Sequence, residues 1–222
     1  AGWLTEPTEA VHVGFGNVLG EDRKMMRSRA GDSVKLADLL DEAVERAAAA
    51  IAEKNPDIVP EERLVVANMV GIGALKYADL STERIKDYVF DWDRMLAFEG
   101  NTGPYLQYAH ARICSIFRRA GIDRASVRSA HITLDQPQER ALAMRLLAYP
   151  SAIDTTLDSY SPHKLCTYVY ELASDFSSFY QECPILKSDE PVRRSRLALA
   201  DLTARVLEHS LGLLGITAPE QM

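Results

Sequence analysis

The sequence predicts a mostly α-helical bundle that is preceded by a short strand and a loop. Six segments place apolar residues at helical spacing, and proline or glycine residues separate most of them. The N-terminal segment differs, because it combines alternating residue types with two glycines and a basic run. The chain has 222 residues, 47% of them hydrophobic, so it is long enough to bury a sizeable core.

Charge and cysteine content narrow the classes of function. The formal net charge is −7, which argues against a generic polyanion or DNA binder, because such binding needs excess Lys and Arg. Cys114, Cys166 and Cys183 lack the spacing of a disulfide framework or a zinc site, so we expect a reducing, cytoplasmic setting. No apolar run approaches the roughly 20 residues of a membrane span, and no membrane partner is expected.

The first predicted element is a short strand within His12–Leu19 that runs into a basic loop. The loop, residues 20–31, contains Lys24, Arg27 and Arg29. One interpretation is a solvated surface loop. The other is a mobile loop that holds phosphates, because a cation placed on a developing phosphoryl charge stabilises the transition state.

Two helices are predicted next, over Val34–Lys54 and from about Pro60 to Tyr77. Gly71 and Gly73 lie inside the second helical pattern and predict close helix packing there, since they fit no phosphate-binding motif. Residues 87–98 combine a β-rich patch with a tryptophan between two aspartates, and the pattern leaves their structure ambiguous.

Four further helices follow a loop that ends at a proline, the residue favoured in the first turn of a helix. Proline or glycine residues lie between them. The predicted spans are Pro104–Ala120, Gln138–Leu147, Ser161–Glu182 and Pro191–Leu214.

The helix predicted over 104–120 has a stripe of aromatic and basic residues beside its apolar face. At 100° per residue, its apolar side chains gather on one arc that faces the core. The stripe has two interpretations. Its members are either boundary tyrosines beside solvated arginines, or a platform on which unpaired bases stack. These members are Tyr105, Tyr108, Arg112 and Arg119.

The residues themselves indicate no complete catalytic site. Paired carboxylates such as Asp91 and Asp93 have no histidine at ligand spacing, so we expect no metal site and interpret them as a solvated face. The five histidines are scattered, and no nucleophile arrangement or phosphate-binding glycine loop accompanies them.

Four segments of the sequence resemble one known family, and they occur in the same order as in that family. The run 98–112, Phe-Glu-Gly-Asn-Thr-Gly-Pro-Tyr-Leu-Gln-Tyr-Ala-His-Ala-Arg, resembles the segment that opens the anticodon-binding domain of arginyl-tRNA synthetases. Residues 15–36, residues 166–180 and residues 214–222 resemble the same family in the same order. The resemblance covers essentially the whole chain.

The resemblance implies three regions. Residues 99–222 would form a DALR-type α-helical anticodon-binding domain, and residues 33–98 a helical linker and stem-contact region. Residues 1–32 would be the C-terminal strand–loop remnant of a class I α/β catalytic domain. The basic loop occupies the place of the KMSKS signature of that domain. The matching loop residues are Lys24, Arg27, Ser28 and Arg29.

The resemblance also implies a function and its partners. An arginine–tRNA ligase charges arginine tRNA and uses ATP with Mg. The HIGH-type motif and the arginine pocket of the family lie upstream of this segment, so we expect this chain alone to be inactive and without a cofactor. Its expected partners are arginine tRNA and the N-terminal catalytic region, and we expect a monomer. The alternative is a free-standing paralogue that acts as an RNA- or protein-binding module.

The family also supplies candidate RNA-contacting residues. Its anticodon-loop bases are held by aromatic residues and an arginine of the opening helix, by aromatic residues near the penultimate helix, and by the C-terminal methionine. The helical projection adds Arg119 as a further possible RNA contact. The matching positions in this sequence are Tyr105, Tyr108, Arg112, Tyr180 and Met222.

Overall fold

A computed structural model describes residues 5–20, 23–24, 35–56 and 58–222. Within these ranges the chain contains eight α-helices, one 3-10 turn and a two-stranded parallel sheet. The prediction of a mostly α-helical bundle preceded by a short strand is therefore confirmed.

The small sheet docks the N-terminal segment onto the helices. Strand β1, Val18–Leu19, pairs in parallel with β2, Tyr88–Val89. Next to this pair, the Asp87 carboxylate accepts hydrogen bonds from the backbone and side-chain amides of Asn17, at 2.6 and 3.0 Å. A Cβ at Gly16 would collide with the backbone before β2, so a glycine is required for this approach. The strand is shorter than predicted because only two residues have a paired partner.

Helices α1, Leu36–Lys54, and α2, Pro60–Ser81, form a closely packed hairpin. A Cβ at Gly71 would lie 2.6 Å from the carbonyl oxygen of Ala43, so the two backbones approach more closely than a larger residue would allow. The prediction of close helix packing at this glycine is confirmed.

The ambiguous stretch 87–98 contains β2 and a short helix α3, Trp92–Met95. Asp91 caps this helix, since its carboxylate accepts a hydrogen bond from the backbone N–H of Arg94 at 3.0 Å. This carboxylate, interpreted from the sequence as part of a solvated face, therefore has a structural partner.

Five longer helices complete the bundle. A 3-10 turn, Arg124–Val127, joins the first two of them. The bounds are α4, Gly103–Ala120; α5, Pro137–Leu147; α6, Tyr149–Ser159; α7, Pro162–Glu182; and α8, Val192–Leu213.

Helix α6 was not predicted. Pro150 indicated a break, yet it lies in the first turn of α6, where a backbone N–H has no helical partner to lose. The four helices predicted in this part of the chain are present, and each of their ends lies within one residue of the expected position.

Two apolar clusters hold the helices together. The larger one contains buried residues of α4, α7 and α8, including Phe176 and Leu207, and α2 contributes Tyr77 to it. The Tyr77 hydroxyl lies 2.6 Å from Asn101 Oδ1. The smaller cluster lies between α1 and α2, and Phe98 and Met222 pack against it. Helix α2 therefore belongs to both clusters.

Helix α2 is also long and apolar enough to cross a membrane by length and composition alone. The prediction that no run approaches a membrane span is wrong in that respect. Helix α2 packs against α1, α4 and α7, and a helix that packs on several sides needs apolar residues around its circumference.

Candidate nucleic-acid interface

Helix α4 positions the predicted stripe, and local sequence fixes both of its ends. The Thr102 hydroxyl accepts a hydrogen bond from the backbone N–H of Tyr105 at 3.2 Å and donates one to the carbonyl oxygen of Ala97 at 2.6 Å. Pro104 occupies the first turn, and Gly121 ends the helix with φ +64°. Both ends of α4 are therefore set by local sequence.

A groove of about 380 Å³ lies beside the buried face of α4, next to the end of α7 and the chain's last residues. It brings together side chains that are far apart in the sequence. The predicted residues that line it are Tyr108, Arg112, Arg119, Tyr180 and Met222.

Arg112 lines the groove close to two tyrosines. Its guanidinium carbon lies 4.8 Å from the ring centroid of Tyr108 and 5.7 Å from that of Tyr180. Its Nη2 also donates a 3.0 Å hydrogen bond to the Tyr108 hydroxyl. Tyr108 remains 38% exposed, so the groove presents an aromatic ring and a planar cation to solvent.

The core holds the ring of Tyr180 in place. This ring stacks on Phe176, with centroids 6.1 Å apart and an interplanar angle of 22°. Phe176 is fully buried, so Tyr180 rests on a fixed neighbour. A ring immobilised in this way loses little conformational freedom when it binds a ligand.

The last residues of the chain are held against α2 and α4 by side chains that donate to backbone carbonyls. Residues of α4 make three of these bonds. The bonds run from Lys76 Nζ to Gly215 O (2.5 Å), Gln107 Nε2 to Thr217 O (2.7 Å), His110 Nδ1 to Pro219 O (2.9 Å), and Arg118 Nη1 to Glu220 O (2.9 Å). Together they place Met222 at the groove.

Sequence reasoning did not assign this role to Gln107 or His110. Both are fully or almost fully buried, although they lie outside the apolar arc of the helical projection. The only sequence signal is two large polar residues next to the core face. It does not show which distant segment they contact.

Burial lowers the pKa of His110 below its ordinary range, and the hydrogen bond to Pro219 opposes this shift. Because the Pro219 carbonyl can only accept, Nδ1 is assigned as the protonated nitrogen of a neutral ring. Nε2 then lies 4.0 Å from a carboxylate oxygen of Glu208. His110 therefore holds the tail as an uncharged donor at neutral pH.

Tyr105 does not line the groove. Its ring lies 5.9 Å from that of Tyr170, and its hydroxyl lies 3.3 Å from Ser177 Oγ. It packs, half-buried, against the larger core cluster. A direct RNA contact by Tyr105 stays a prediction.

Most of the KMSKS-like loop lies outside the described residues, including Arg27, Ser28 and Arg29. Lys24 is described, and its carbonyl oxygen accepts a 2.9 Å hydrogen bond from the backbone N–H of Gly20. The phosphate-binding role of this loop stays a prediction. Among the described residues, no group of three or more His, Cys, Asp or Glu side chains is placed to hold a metal ion.

Comparison with known families adds to this geometry. Residues 106–222 match the DALR anticodon binding domain, and this match covers more than half of the chain. The chain belongs to the DALR anticodon-binding domain family. Residues 1–92 match the catalytic domain of tRNA synthetases class I (R). The predicted resemblance to arginyl-tRNA synthetases is confirmed.

Relatives of this DALR-domain chain carry the name arginine–tRNA ligase. One from Thermobifida fusca is 54% identical over 223 residues, and one from Escherichia coli is 51% identical. Both alignments cover 100% of this chain. The chain spans 38% and 39% of the length of these two relatives.

Solved structures agree with this fold. An arginyl-tRNA synthetase from Thermus thermophilus superposes with a TM-score of 0.85 and 37% identity, over 95% of this chain and 35% of that one. The arginyl-tRNA synthetase of Plasmodium falciparum gives a TM-score of 0.82 and 32% identity, over the same shares. The fold of this chain is thus shared with these two synthetases.

Proposed function

We propose that this chain is the tRNA-reading part of an arginine–tRNA ligase and that its groove holds unpaired anticodon-loop bases. One observation carries the proposal. The guanidinium of Arg112 lies close to the rings of both Tyr108 and Tyr180, in an open groove of a chain that belongs to an anticodon-binding family.

Recognition at this groove would rest on stacking and on local charge. Single-stranded loops are recognised when their bases unstack and lie on aromatic rings or guanidinium planes. Each base that stacks on an aromatic ring contributes about 1–3 kcal/mol. Tyr108 and Tyr180 supply the rings, Arg112 supplies a planar cation, and Met222 supplies an adaptable apolar contact.

The acidity of the chain agrees with this mode of binding. The net charge of −7 disfavours broad attraction to nucleic acid, yet Arg112, Arg118 and Arg119 all line the groove. A binder of a few splayed bases needs positive charge only where the backbone of the loop passes. The groove provides it locally.

The proposed role in arginylation is docking. The chain would hold the anticodon loop so that the acceptor end of arginine tRNA reaches the catalytic region, where ATP with Mg activates arginine as substrate. Residues 99–222 would form the anticodon-binding unit in this proposal. The three cysteines are free and buried, which supports the reducing, cytoplasmic setting that we propose.

A competition assay tests this function. Labelled arginine tRNA is bound to the chain at moderate salt, and the isolated anticodon stem-loop or the isolated acceptor stem is then added. The stem-loop is expected to displace the tRNA, and the acceptor stem is expected to compete much less. Equal competition by both fragments would contradict anticodon-loop recognition.

A further inference from the structure

A second cavity, of about 430 Å³, lies on the other side of Tyr108 and Met222. These two residues line both this cavity and the groove, so the two spaces are neighbours along one surface. The remaining lining comes from α1 and from the loop before α4. It consists of Ile51, Lys54, Asn55 and Phe98.

The cavity pairs an aromatic ring with a cation. The Lys54 ammonium nitrogen lies 5.0 Å from the ring centroid of Phe98. Phe98 packs against the apolar cluster between α1 and α2, where Ile51 is almost fully buried. The adjacent Ala97 carbonyl accepts a 2.6 Å hydrogen bond from the α4 cap residue Thr102. The ring therefore packs on the cluster, and the backbone beside it is bonded to the start of α4.

We propose that this cavity is a second subsite for the same RNA loop and takes one further unpaired nucleotide. Its base would stack on Phe98, and its phosphate would contact Lys54. The inference rests on the proposed function of the groove and extends it by one nucleotide.

The chemistry of the lining favours a nucleotide as the occupant. A stacked base needs an aromatic face, and the adjacent phosphate needs a mobile cation. Lysine is a flexible point charge, so Lys54 can leave the ring and follow a phosphate when a base arrives. The cation–π contact that it gives up at such a site is weaker than the stacking of a base.

Because the cavity adjoins the groove, the two subsites would hold neighbouring parts of the RNA loop. Tyr108 and Met222 stand between them, so a strand that occupies the groove continues past these side chains into the cavity. Lys54 lies within the range that matches the class I catalytic domain, and Phe98 lies between the two matched ranges. The further nucleotide would thus contact α1 as well as the DALR domain.

The test uses the 222-residue chain and a fluorescein-labelled anticodon stem-loop of arginine tRNA. A matched set of probes replaces each loop nucleotide in turn with an abasic residue. Phe98→Leu keeps apolar volume but removes the ring, and Lys54→Gln removes the charge. Arg112→Ala reports on the groove. Lys164→Gln is the control, because Lys164 lies in the first turn of α7, at the opposite end from Tyr180.

The inference predicts two different signatures. Phe98→Leu should weaken binding about fivefold or more on the intact loop, and this loss should vanish at one abasic position. That position should differ from the one at which the Arg112→Ala effect vanishes. Lys54→Gln should weaken binding of every probe in the set, and it should reduce the slope of log Kd against log salt by about 0.7. Lys164→Gln should match the unmodified chain.

Three outcomes would overturn the inference. In the first, Arg112→Ala weakens binding but neither Phe98→Leu nor Lys54→Gln changes it. This outcome leaves the proposed function intact. Another is loss of the Phe98→Leu and Arg112→Ala effects at the same abasic position. In the third, Arg112→Ala leaves binding of the stem-loop unchanged, and this result contradicts the proposed function as well. If Phe98→Leu fails to fold, as shown by thermal unfolding, the salt slope of Lys54→Gln decides alone.

Discussion

At the scale of single residues, the groove depends on the shape of Arg112 as much as on its charge. Its guanidinium lies against the rings of Tyr108 and Tyr180, a geometry that a planar group can satisfy. An ammonium at the same position keeps the charge but offers no plane for stacking. Charge and stacking can therefore be separated by one conservative substitution.

We expect Arg112→Lys to weaken binding of arginine tRNA about five- to tenfold, which corresponds to roughly 1–1.4 kcal/mol of lost stacking. Fluorescence titration at fixed salt measures the change in Kd. Arg140→Ala is a suitable control, since it removes an exposed arginine of α5 whose bond is to the Leu134 carbonyl. Binding by Arg112→Lys equal to that of the unmodified chain would show that the groove uses charge alone.

A second prediction at this scale concerns His110 and the pH dependence of the free energy of unfolding. Burial lowers its pKa in the folded chain below the ordinary value of 6.5, so the unfolded chain binds the proton more readily. The free energy of unfolding should therefore fall as the pH is lowered through 6.5 toward the depressed pKa. His110→Gln, which can still donate to Pro219, should show a smaller fall.

Urea unfolding of both chains, at neutral pH and about one unit below 6.5, measures this difference. The other histidines are common to both chains, so the comparison isolates His110. An identical pH dependence in the two chains would contradict the assigned shift.

At the scale of elements, α4 shows what a sequence can and cannot predict. Helical periodicity placed Tyr108 and Arg112 beside the core face, because their angular positions depend only on the local repeat. It did not show that Gln107 is buried on another side, where it bonds to Thr217, 110 positions away. It also did not bring Tyr180 and Met222 to the groove. Those positions came from resemblance, since long-range packing has no local period.

Helix α6 illustrates a second limit. Pro150 is equally compatible with a break and with the first turn of a new helix, because neither requires its backbone N–H. Only the packing of α6 against α5 and α7 selects the helix. Local sequence leaves such a choice open.

Replacing two helical glycines by alanine should change the free energy of unfolding in opposite directions. Gly71→Ala should lower the free energy of unfolding by about 1–3 kcal/mol, because its Cβ would lie 2.6 Å from the Ala43 carbonyl oxygen. Gly212→Ala, in α8, meets nothing within 4 Å and should raise it by up to about 1 kcal/mol. Urea unfolding of both variants tests the close packing of α1 on α2. Equal effects of the two substitutions would contradict it.

At the scale of the whole molecule, an acidic chain is proposed to bind RNA. A net negative charge is compatible with RNA binding only if the chain neutralises few phosphates. The groove arginines Arg112, Arg118 and Arg119, together with Lys54 of the neighbouring cavity, give about four phosphate contacts at most. We therefore expect the slope of log K against log salt for tRNA binding to be about −3 or shallower. Titrations over a range of salt concentrations measure this slope.

A slope several times steeper would indicate a broad electrostatic surface and would contradict recognition by a local groove. Poly-uridine of matched length is the control for non-specific binding. It should bind much more weakly than arginine tRNA at moderate salt, because the net charge of −7 repels an RNA that makes no specific contacts.

The central claim is that the groove between α4, α7 and the last residues reads unpaired anticodon-loop bases. The most direct measurement is the Kd of arginine tRNA for the chain with Tyr108→Ala and Arg112→Ala combined, at moderate salt. We expect at least a tenfold weaker Kd, since one ring and one stacked cation are removed, with a thermal unfolding midpoint that confirms a folded chain. An unchanged Kd in that folded variant would contradict the claim.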